Sequence, residues 1–395
     1  MKRNDLLNFC SNQTILQGHN SYALSRYCKT YAENLKITKS TTPKPLKPNQ
    51  ELLFGDSFSD HMFEVDWDSV TGWSTPEIKP YQPLVMDPSS IVFHYAFSCF
   101  EGMKAYKGVN GDIRLFRPDL NMARLNRSAE RIALPTFDGD QLTECIKKLV
   151  KIDERWIPNE KGYSLYIRPN LIGTQEYIGV APSNKAKLFV ILSPVGPYYK
   201  TGFKAVSLLA TSSFIRAWPG GTGNTKIGGN YAPGIKPQIH ANHKNCAQNL
   251  WLFGPEEYLT EVGTMNCFIY WKNEAGELEL VTPPLDGTIL PGVTRQSILE
   301  LAKSWGEFKV SERLVTIHDI KRAIQEKRLL EMFGSGTACI VSPIKEIIYN
   351  DESLQIPLDP NDSESQAGPI ATKFNNTILS IQYGEIPSEW SVVID

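Results

Sequence analysis

Gly220-Gly221-Thr222-Gly223-Asn224-Thr225-Lys226-Ile227-Gly228-Gly229-Asn230-Tyr231 sets five glycines around one lysine. Glycine allows positive φ and close backbone approach, so a flat or phosphorylated ligand can lie against this loop. Two well-known glycine motifs do not fit it. A nucleotide phosphate loop would need Ser or Thr after the lysine, where Ile227 stands, and a dinucleotide fingerprint begun at Gly221 would need glycine at position 226. A lysine framed by glycine and aliphatic residues can be desolvated, which frees a neutral amine for Schiff-base chemistry. Taken alone, a surface turn with a solvated lysine describes the segment at least as well.

Two features elsewhere in the chain change that balance. Leu259-Thr260-Glu261-Val262-Gly263-Thr264-Met265-Asn266 puts one carboxylate into an otherwise apolar or hydroxylic strand. A buried glutamate is costly unless it meets a cation, and a protonated pyridine nitrogen is such a cation. Leu290-Pro291-Gly292-Val293-Thr294-Arg295 at a helix start and Gly334-Ser335-Gly336-Thr337 at a turn both offer backbone N–H groups and hydroxyls to an anion. A lysine, a lone glutamate and a phosphate cradle are the three parts that pyridoxal phosphate requires.

The rest of the composition excludes other classes. Lys+Arg total 41 against 43 Asp+Glu in 395 residues, so there is no basic excess for a generic nucleic-acid or membrane-surface binder. The seven cysteines are an odd number with no C-x-x-C pair, which suits a reducing compartment. His240 and His243 lack the companions of a zinc site, so no metal is expected. Apolar runs such as Leu188 to Leu192 are far shorter than the roughly 20 residues of a membrane span. Charge is uneven, however: Lys2, Arg3, Arg26, Lys29, Lys36, Lys39, Lys44 and Lys47 face only Asp5 and Glu33 in the first 50 residues. The acid-poor stretch to about Thr30 suits a mitochondrial presequence or a cytosolic arm, so the expected location is the mitochondrial matrix or the cytoplasm, with a lean to the former. Thr41 to Pro48 reads as an extended linker.

Periodicity divides the remainder of the chain. Phe54 to Trp67 and Ile91 to Tyr106 read as strands, Asp119 to Leu134 and Gln141 to Trp156 as helices, and Leu188 to Leu192 as a buried strand that stops at Pro194-Val195-Gly196-Pro197. The second half opens with strand Val206 to Ala210. Met265 to Trp271 and Leu278 to Thr282 flank a hairpin signal, helices are expected at Arg295 to Trp305, Ile317 to Gln325 and Ile370 to Tyr383, and Leu330 to Phe333 reads as strand. This is a mixed α/β chain: a basic extension at 1–50, a smaller domain at 51–198, a linker at 199–205 and a larger domain at 206–395 that carries most of the glycine loops.

These residues resemble a known family. The chain from about Phe54 onward is similar to the branched-chain amino-acid aminotransferases, fold-type IV pyridoxal phosphate enzymes. The match rests on Phe100-Glu101-Gly102-Met103-Lys104-Ala105, Arg117-Pro118, Leu120-Asn121-Met122, Tyr166-Ile167-Arg168-Pro169, Arg216-Ala217-Trp218, the Lys226 loop, Glu261 to Asn266 and Gly334 to Cys339. The resemblance implies that Lys226 is catalytic, carrying the cofactor as a Schiff base and moving the α-proton, while Glu261 holds the pyridine nitrogen protonated. It places Tyr231 near the phenolic oxygen, and Arg124, the Val293 and Thr294 amides and the Thr337 hydroxyl around the phosphate. Thr264 and the Ala338 amide would meet the substrate α-carboxylate. The side-chain pocket would be Tyr95, Phe100, Tyr166 and Tyr198, with one of Phe54 or Phe58, and Arg168 near Tyr95 would read the side-chain carboxylate of glutamate. Val180 corresponds to a residue that reaches the neighbouring subunit's site, which implies a homodimer.

The implied reaction moves an amino group between Leu, Ile or Val and 2-oxoglutarate, giving the 2-oxo acids and glutamate, with no nucleic-acid or membrane partner. Other fold-type IV activities, D-amino-acid aminotransferase and aminodeoxychorismate lyase, and a non-catalytic homologue are the alternatives; Tyr166 and Arg168 speak against the first two, and the intact Lys226 and Glu261 against the last. One departure stands out. Mammalian members carry C-x-x-C after the glycine turn as a redox switch, whereas Cys339 is followed by Ile340-Val341-Ser342, so disulfide control at that position is not expected.

Overall fold

The computed structural model describes residues 32–198 and 203–395. The expected presequence lies outside the described residues, as do positions 199–202 of the expected linker. The fold is mixed α/β, built on two sheets.

In the first sheet the strands run in the spatial order Lys36–Ile37, Glu77–Pro80, His61–Asp68, Lys185–Val195, Ser164–Gly173, Met103–Lys107, Ile113–Phe116 and Ser391–Ile394. Lys185–Val195 alternates buried and partly exposed residues over its first half, the period-two signature of a strand with one covered face. Helices Pro118–Arg131 and Gly139–Ile152 cover that face. Met122, Leu125 and Ala129 on one, and Leu142, Cys145, Ile146, Leu149 and Val150 on the other, join Phe63, Ile167 and Leu188 in a common core. Asp138 starts the second helix by accepting from the Asp140 and Gln141 N–H groups.

The second sheet closes on itself. Gln248–Phe253, Val206–Thr211, Ile340–Tyr349, Leu329–Gly336 and Met265–Lys272 follow one another, and Tyr258–Val262 pairs with both Gln248–Phe253 and Met265–Lys272. The last contact is the hairpin in which Glu261 faces Asn266 and Val262 faces Met265, turned by Gly263 and Thr264. Gly263 sits at φ +58°, and a Cβ there would meet Gln248 Oε1 at 1.9 Å, so the turn takes glycine. The expected hairpin at 272–276 forms, with Asn273 Oδ1 accepting from the Ala275 and Glu277 N–H groups. Helices Val293–Trp305, Ile317–Gln325 and Pro369–Gln382 pack outside; Thr316 and Asp319 make a capping box at the second of these. Buried Glu331 accepts from the Ile370 and Ala371 N–H groups at the start of the last helix.

Four readings need correction. Ile91–Tyr95 is a short helix ended by Ala96 in the left-handed region, and the strands begin only at Ser98; Ile91 is fully buried and its N–H is held by the Gln175 carbonyl, so tertiary packing overrides the β-branched run. The strand expected from Phe54 starts only at His61. Thr41 to Pro48 is not a free linker, because Lys44 Nζ donates to the Ser59 carbonyl at 2.8 Å and the preceding Lys36–Ile37 is an edge strand; the unit set at 1–50 therefore contributes to the first sheet. The unit set at 206–395 is not closed either, since Ser391–Ile394 returns to pair with Ile113–Phe116 and covers an edge that would otherwise stand open.

Among the described residues, no helix is long and apolar enough to cross a membrane, and no group of three or more His, Cys, Asp or Glu side chains is placed to hold a metal ion.

Candidate active site

A cavity of about 250 Å³ lies between the two sheets. The first sheet and its helices supply Phe100, Gly102, Arg124, Tyr166 and Arg168; the second supplies Thr264, Asn266 and the turn Gly336 to Cys339; the glycine-rich loop supplies Lys226 and Tyr231. Leu290, Gly292, Val293 and Thr294 close one end.

Lys226 is delivered by backbone bonds on both sides. Its N–H donates to Ser128 Oγ at 2.8 Å, and its carbonyl accepts from Phe100 N–H at 3.0 Å. The ammonium donates to Tyr231 Oη at 3.1 Å and lies 4.7 Å from the centroid of the Phe100 ring. Asn230 ties the loop together by donating to the Thr222 and Thr225 carbonyls.

Arg124 stands opposite, fully committed on one edge. Glu101 accepts from its Nε at 2.6 Å and from its Nη2 at 2.8 Å, and Nη1 donates to the Pro291 carbonyl at 3.1 Å. Glu101 also accepts from Asn121 Nδ2 and from Gly102 N–H. Burial works to raise the Glu101 carboxyl, but the Arg124 guanidinium outweighs it and holds the group below the usual carboxylate range. Beside Arg124, helix Val293–Trp305 begins at Gly292, which has no side chain to cap it. The helix therefore offers its first N–H groups to the cavity, with the Thr294 and Thr337 side chains nearby: an anion site of three independent parts.

Glu261 lies one layer under the cavity floor, 2% exposed, with Oε1 accepting from Leu290 N–H at 2.7 Å. Arg216 Nε meets its other oxygen at 2.7 Å. Burial nevertheless pushes the Glu261 carboxyl above its ordinary range, and Arg216 and the Leu290 N–H pull it back only in part. A carboxylate so placed has use for a further cation above it. The residues fit a flat phosphorylated pyridine: an amine at one edge, a buried carboxylate beneath, an anion cradle at the far end.

The expected aromatic wall is present in part. Phe54 packs against Tyr166 and Tyr198 with centroids 4.8 and 5.5 Å apart, so of the two candidates it is Phe54 that lines the cavity; Phe58 stacks on Tyr81 instead. Arg168 lies over the Phe100 ring and donates from Nη2 to Tyr166 Oη, while its buried Nε has no hydrogen-bond partner. Tyr95 does not join them. It is 43% exposed, its hydroxyl donates to the Ile178 carbonyl, and Arg168 is placed by Phe100 and Tyr166 rather than by Tyr95. Val180 lies outside the cavity, 76% exposed, beside the exposed Tyr177 and Ile178.

Sequence reasoning gave no role to Glu101, Gly102 or Arg216, although each lies in a quoted motif. The signal that marked Glu261, a lone carboxylate among apolar neighbours, was also available for Glu101. Gly102 is required by space: a Cβ there would stand 1.9 Å from Tyr166 Oη. We expect Gly102→Ala to displace Tyr166 and to destabilise the fold by about 1–3 kcal/mol, the usual cost of overpacking; thermal unfolding of the purified protein checks this.

The family Amino-transferase class IV matches residues 98–347. A branched-chain-amino-acid aminotransferase of Monosiga brevicollis is 54% identical, with 94% of each chain covered. A cytosolic one of Ovis aries is 50% identical, over 98% of this chain and 99% of its own. A mitochondrial one of Rattus norvegicus is 51% identical, over 90% and 89%. Among solved structures, a branched-chain aminotransferase of the archaeon Thermoproteus uzoniensis, with norvaline, superposes with a TM-score of 0.66 over 84% of this chain and 99% of its own, at 24% identity, a likeness of fold.

Proposed function

We infer the function from the premise that this chain belongs to the class IV aminotransferases, and among them to the branched-chain amino-acid aminotransferases. It moves the amino group between leucine, isoleucine or valine and 2-oxoglutarate. Pyridoxal phosphate, when bound, supplies a carbonyl that condenses with amines and a ring that accepts the electron pair left at the α-carbon. The remaining work belongs to the protein.

Lys226 Nζ, held by Tyr231 and set against the Phe100 ring, carries the cofactor at rest and moves the substrate α-proton. Glu261 keeps the ring nitrogen protonated, with Arg216 fixing the carboxylate from below. Arg124, the Val293 and Thr294 amides and the Thr337 hydroxyl hold the phosphate; Thr264 and the Ala338 amide receive the substrate α-carboxylate. Phe54, Phe100, Tyr166 and Tyr198 exclude water from an aliphatic side chain.

Ping-pong transfer demands that the same pocket accept an aliphatic side chain and then a carboxylate. The observation that carries the reading is Arg168: a guanidinium whose Nε is buried without a partner, in an aromatic wall of the cavity that holds Lys226. A charge-assisted bond to the distal carboxylate of glutamate satisfies it. Arg168→Met is expected to raise KM for 2-oxoglutarate by about 10–100-fold while the leucine half-reaction changes only a few-fold. The test is an amino-donor panel with 2-oxoglutarate as acceptor, run on both proteins; equal losses for both substrates would remove Arg168 from this role.

The protein works as a homodimer. Phe93, Tyr177, Ile178 and Val180, between 45% and 76% exposed, make an apolar patch suited to a second copy, and gel filtration with light scattering reads its state. Relatives named cytosolic and mitochondrial match the chain alike, and the basic first segment favours the mitochondrial matrix; fractionation of cells decides between them.

A further inference from the structure

Lys104 is a buried lysine that forms no ion pair among the described residues. It lies on strand Met103–Lys107 opposite Tyr166, is 6% exposed, and donates from Nζ to the Ala338 carbonyl at 2.8 Å. Of the other cations at the site, Arg124 and Arg216 each face a carboxylate, and Arg168, only half-buried, faces none. Among the described residues none lies within ion-pair distance of Lys104. A methionine would fill the same space without desolvating a charge, so packing alone does not account for the ammonium.

What it touches is the turn. Gly336 pairs with Ile340, enclosing Thr337, Ala338 and Cys339, and all three line the active cavity. Ala338 and Cys339 also line a smaller void of about 160 Å³ on the opposite side, where Lys104 sits. The turn is thus a thin wall with the substrate site in front and Lys104 behind. It is also strained: Ile340, a β-branched residue, sits at φ +63°, a conformation that persists only when its surroundings enforce it. Ile340 is anchored in the apolar cluster with Phe333 and Phe374. The hydrogen bond from Lys104 fixes the plane of the Ala338–Cys339 peptide, and so the rotation of the whole turn.

We propose that Lys104 is a positioning residue for substrate recognition: its ammonium holds the turn from behind and presents both the turn and a positive charge to the carboxylate bound in front. This rests on the reading that Thr264 and the Ala338 amide receive the α-carboxylate.

The charge is poised to change. Burial lowers the Lys104 ammonium from 10.5 to about 8, with Cys339 opposing. The groups facing it are Cys339, pushed up to about 12 by burial, the Tyr198 phenol, raised by burial, Tyr166 from the neighbouring strand and Lys204 across the void; Asn375 on the last helix is uncharged. Carboxylate affinity should therefore be full below pH 7 and fall as pH rises through about 8.

The test uses the holoenzyme and 4-methylvalerate, a carboxylate without an amine, by calorimetric titration. Lys104→Met is expected to weaken 4-methylvalerate about 10-fold at pH 7 and to raise KM for leucine equally, with the single-turnover rate at saturating leucine within about threefold of the parent. Between pH 7 and 9 the parent should lose affinity and the variant should not. If Lys104→Met fails to accumulate, Lys104→Gln keeps a donor without the charge and should show the same flat pH profile. An unchanged Kd in Lys104→Met beside a weakened Kd in Thr264→Val overturns the role of Lys104 and leaves the carboxylate reading standing. Unchanged Kd in both overturns the carboxylate reading itself. A lower kcat and melting temperature with the parent's pH profile retained means a merely structural lysine and overturns the proposal.

Discussion

Lys226→Ala should abolish transamination, with a loss of about 10⁴-fold or more in the leucine to 2-oxoglutarate reaction. No other amine lines the cavity among the described residues, where the remaining cations are the guanidinium groups of Arg124 and Arg168. Those groups stay protonated and do not carry a proton to and from carbon. The loss should be chemical rather than structural. The loop is held by the Lys226 backbone, through Ser128 Oγ and Phe100 N–H, and by Asn230, none of which the substitution touches. The melting temperature should therefore stay within a few degrees of the parent. Borohydride treatment of the yellow parent should fix the cofactor on the peptide that contains Lys226, and leave that peptide unlabelled in the variant. Activity retained in Lys226→Ala would overturn the assignment.

The second large effect is on stability. Glu101→Ala leaves Arg124 buried without its carboxylate, and breaking one side of a buried pair costs about 3–5 kcal/mol. For a chain of this size that corresponds to a fall of roughly 4–6 °C in Tm, readable by calorimetry. The same substitution frees the guanidinium from its bidentate geometry, so phosphate affinity should fall as well. The pH dependence has a definite sign. Glu101 is held below its ordinary value of 4.5 in the folded state, so the folded form binds fewer protons there than the unfolded chain. Its contribution is complete above about 4.5 and is lost as pH falls through the depressed folded value. In unfolding scans from pH 7 to 3, Glu101→Gln should show a shallower acid decline than the parent. Equal slopes would mean that the pair does not carry the acid sensitivity.

Much of this site was legible in the chain because its parts are chemically exceptional where they stand. The lysine among five glycines is ambiguous alone, but together with a glutamate in an apolar strand and two glycine-hydroxyl segments it points to one ligand; the resemblance added Arg124, Tyr231, Thr264 and Ala338, and the structure brings these with Lys226, Val293, Thr294 and Thr337 to one cavity with Glu261 beneath it. Helices and strands with strong periodicity, such as Gly139–Ile152 and Lys185–Val195, were legible for the same reason. What escaped depends on pairing across long separations. Arg216 meets Glu261, Lys104 meets Ala338, and no local pattern announces either contact. Tyr95 came to the pocket through the family resemblance alone, whereas within the chain it ends the short helix Ile91–Tyr95, 43% exposed, with its hydroxyl on the Ile178 carbonyl.

The return of Ser391–Ile394 to the first sheet has a consequence for how the protein is made. A chain emerging from the ribosome at about 5–20 residues per second folds its earlier part while the later part is still being synthesised. Here the sheet begun first waits for its outermost strand until nearly every other described residue has appeared, and Ile113–Phe116 meanwhile presents bare backbone donors and acceptors. The nascent form is therefore the aggregation-prone one, and a chaperone that shields that edge during synthesis has more to do than one that acts on the finished enzyme.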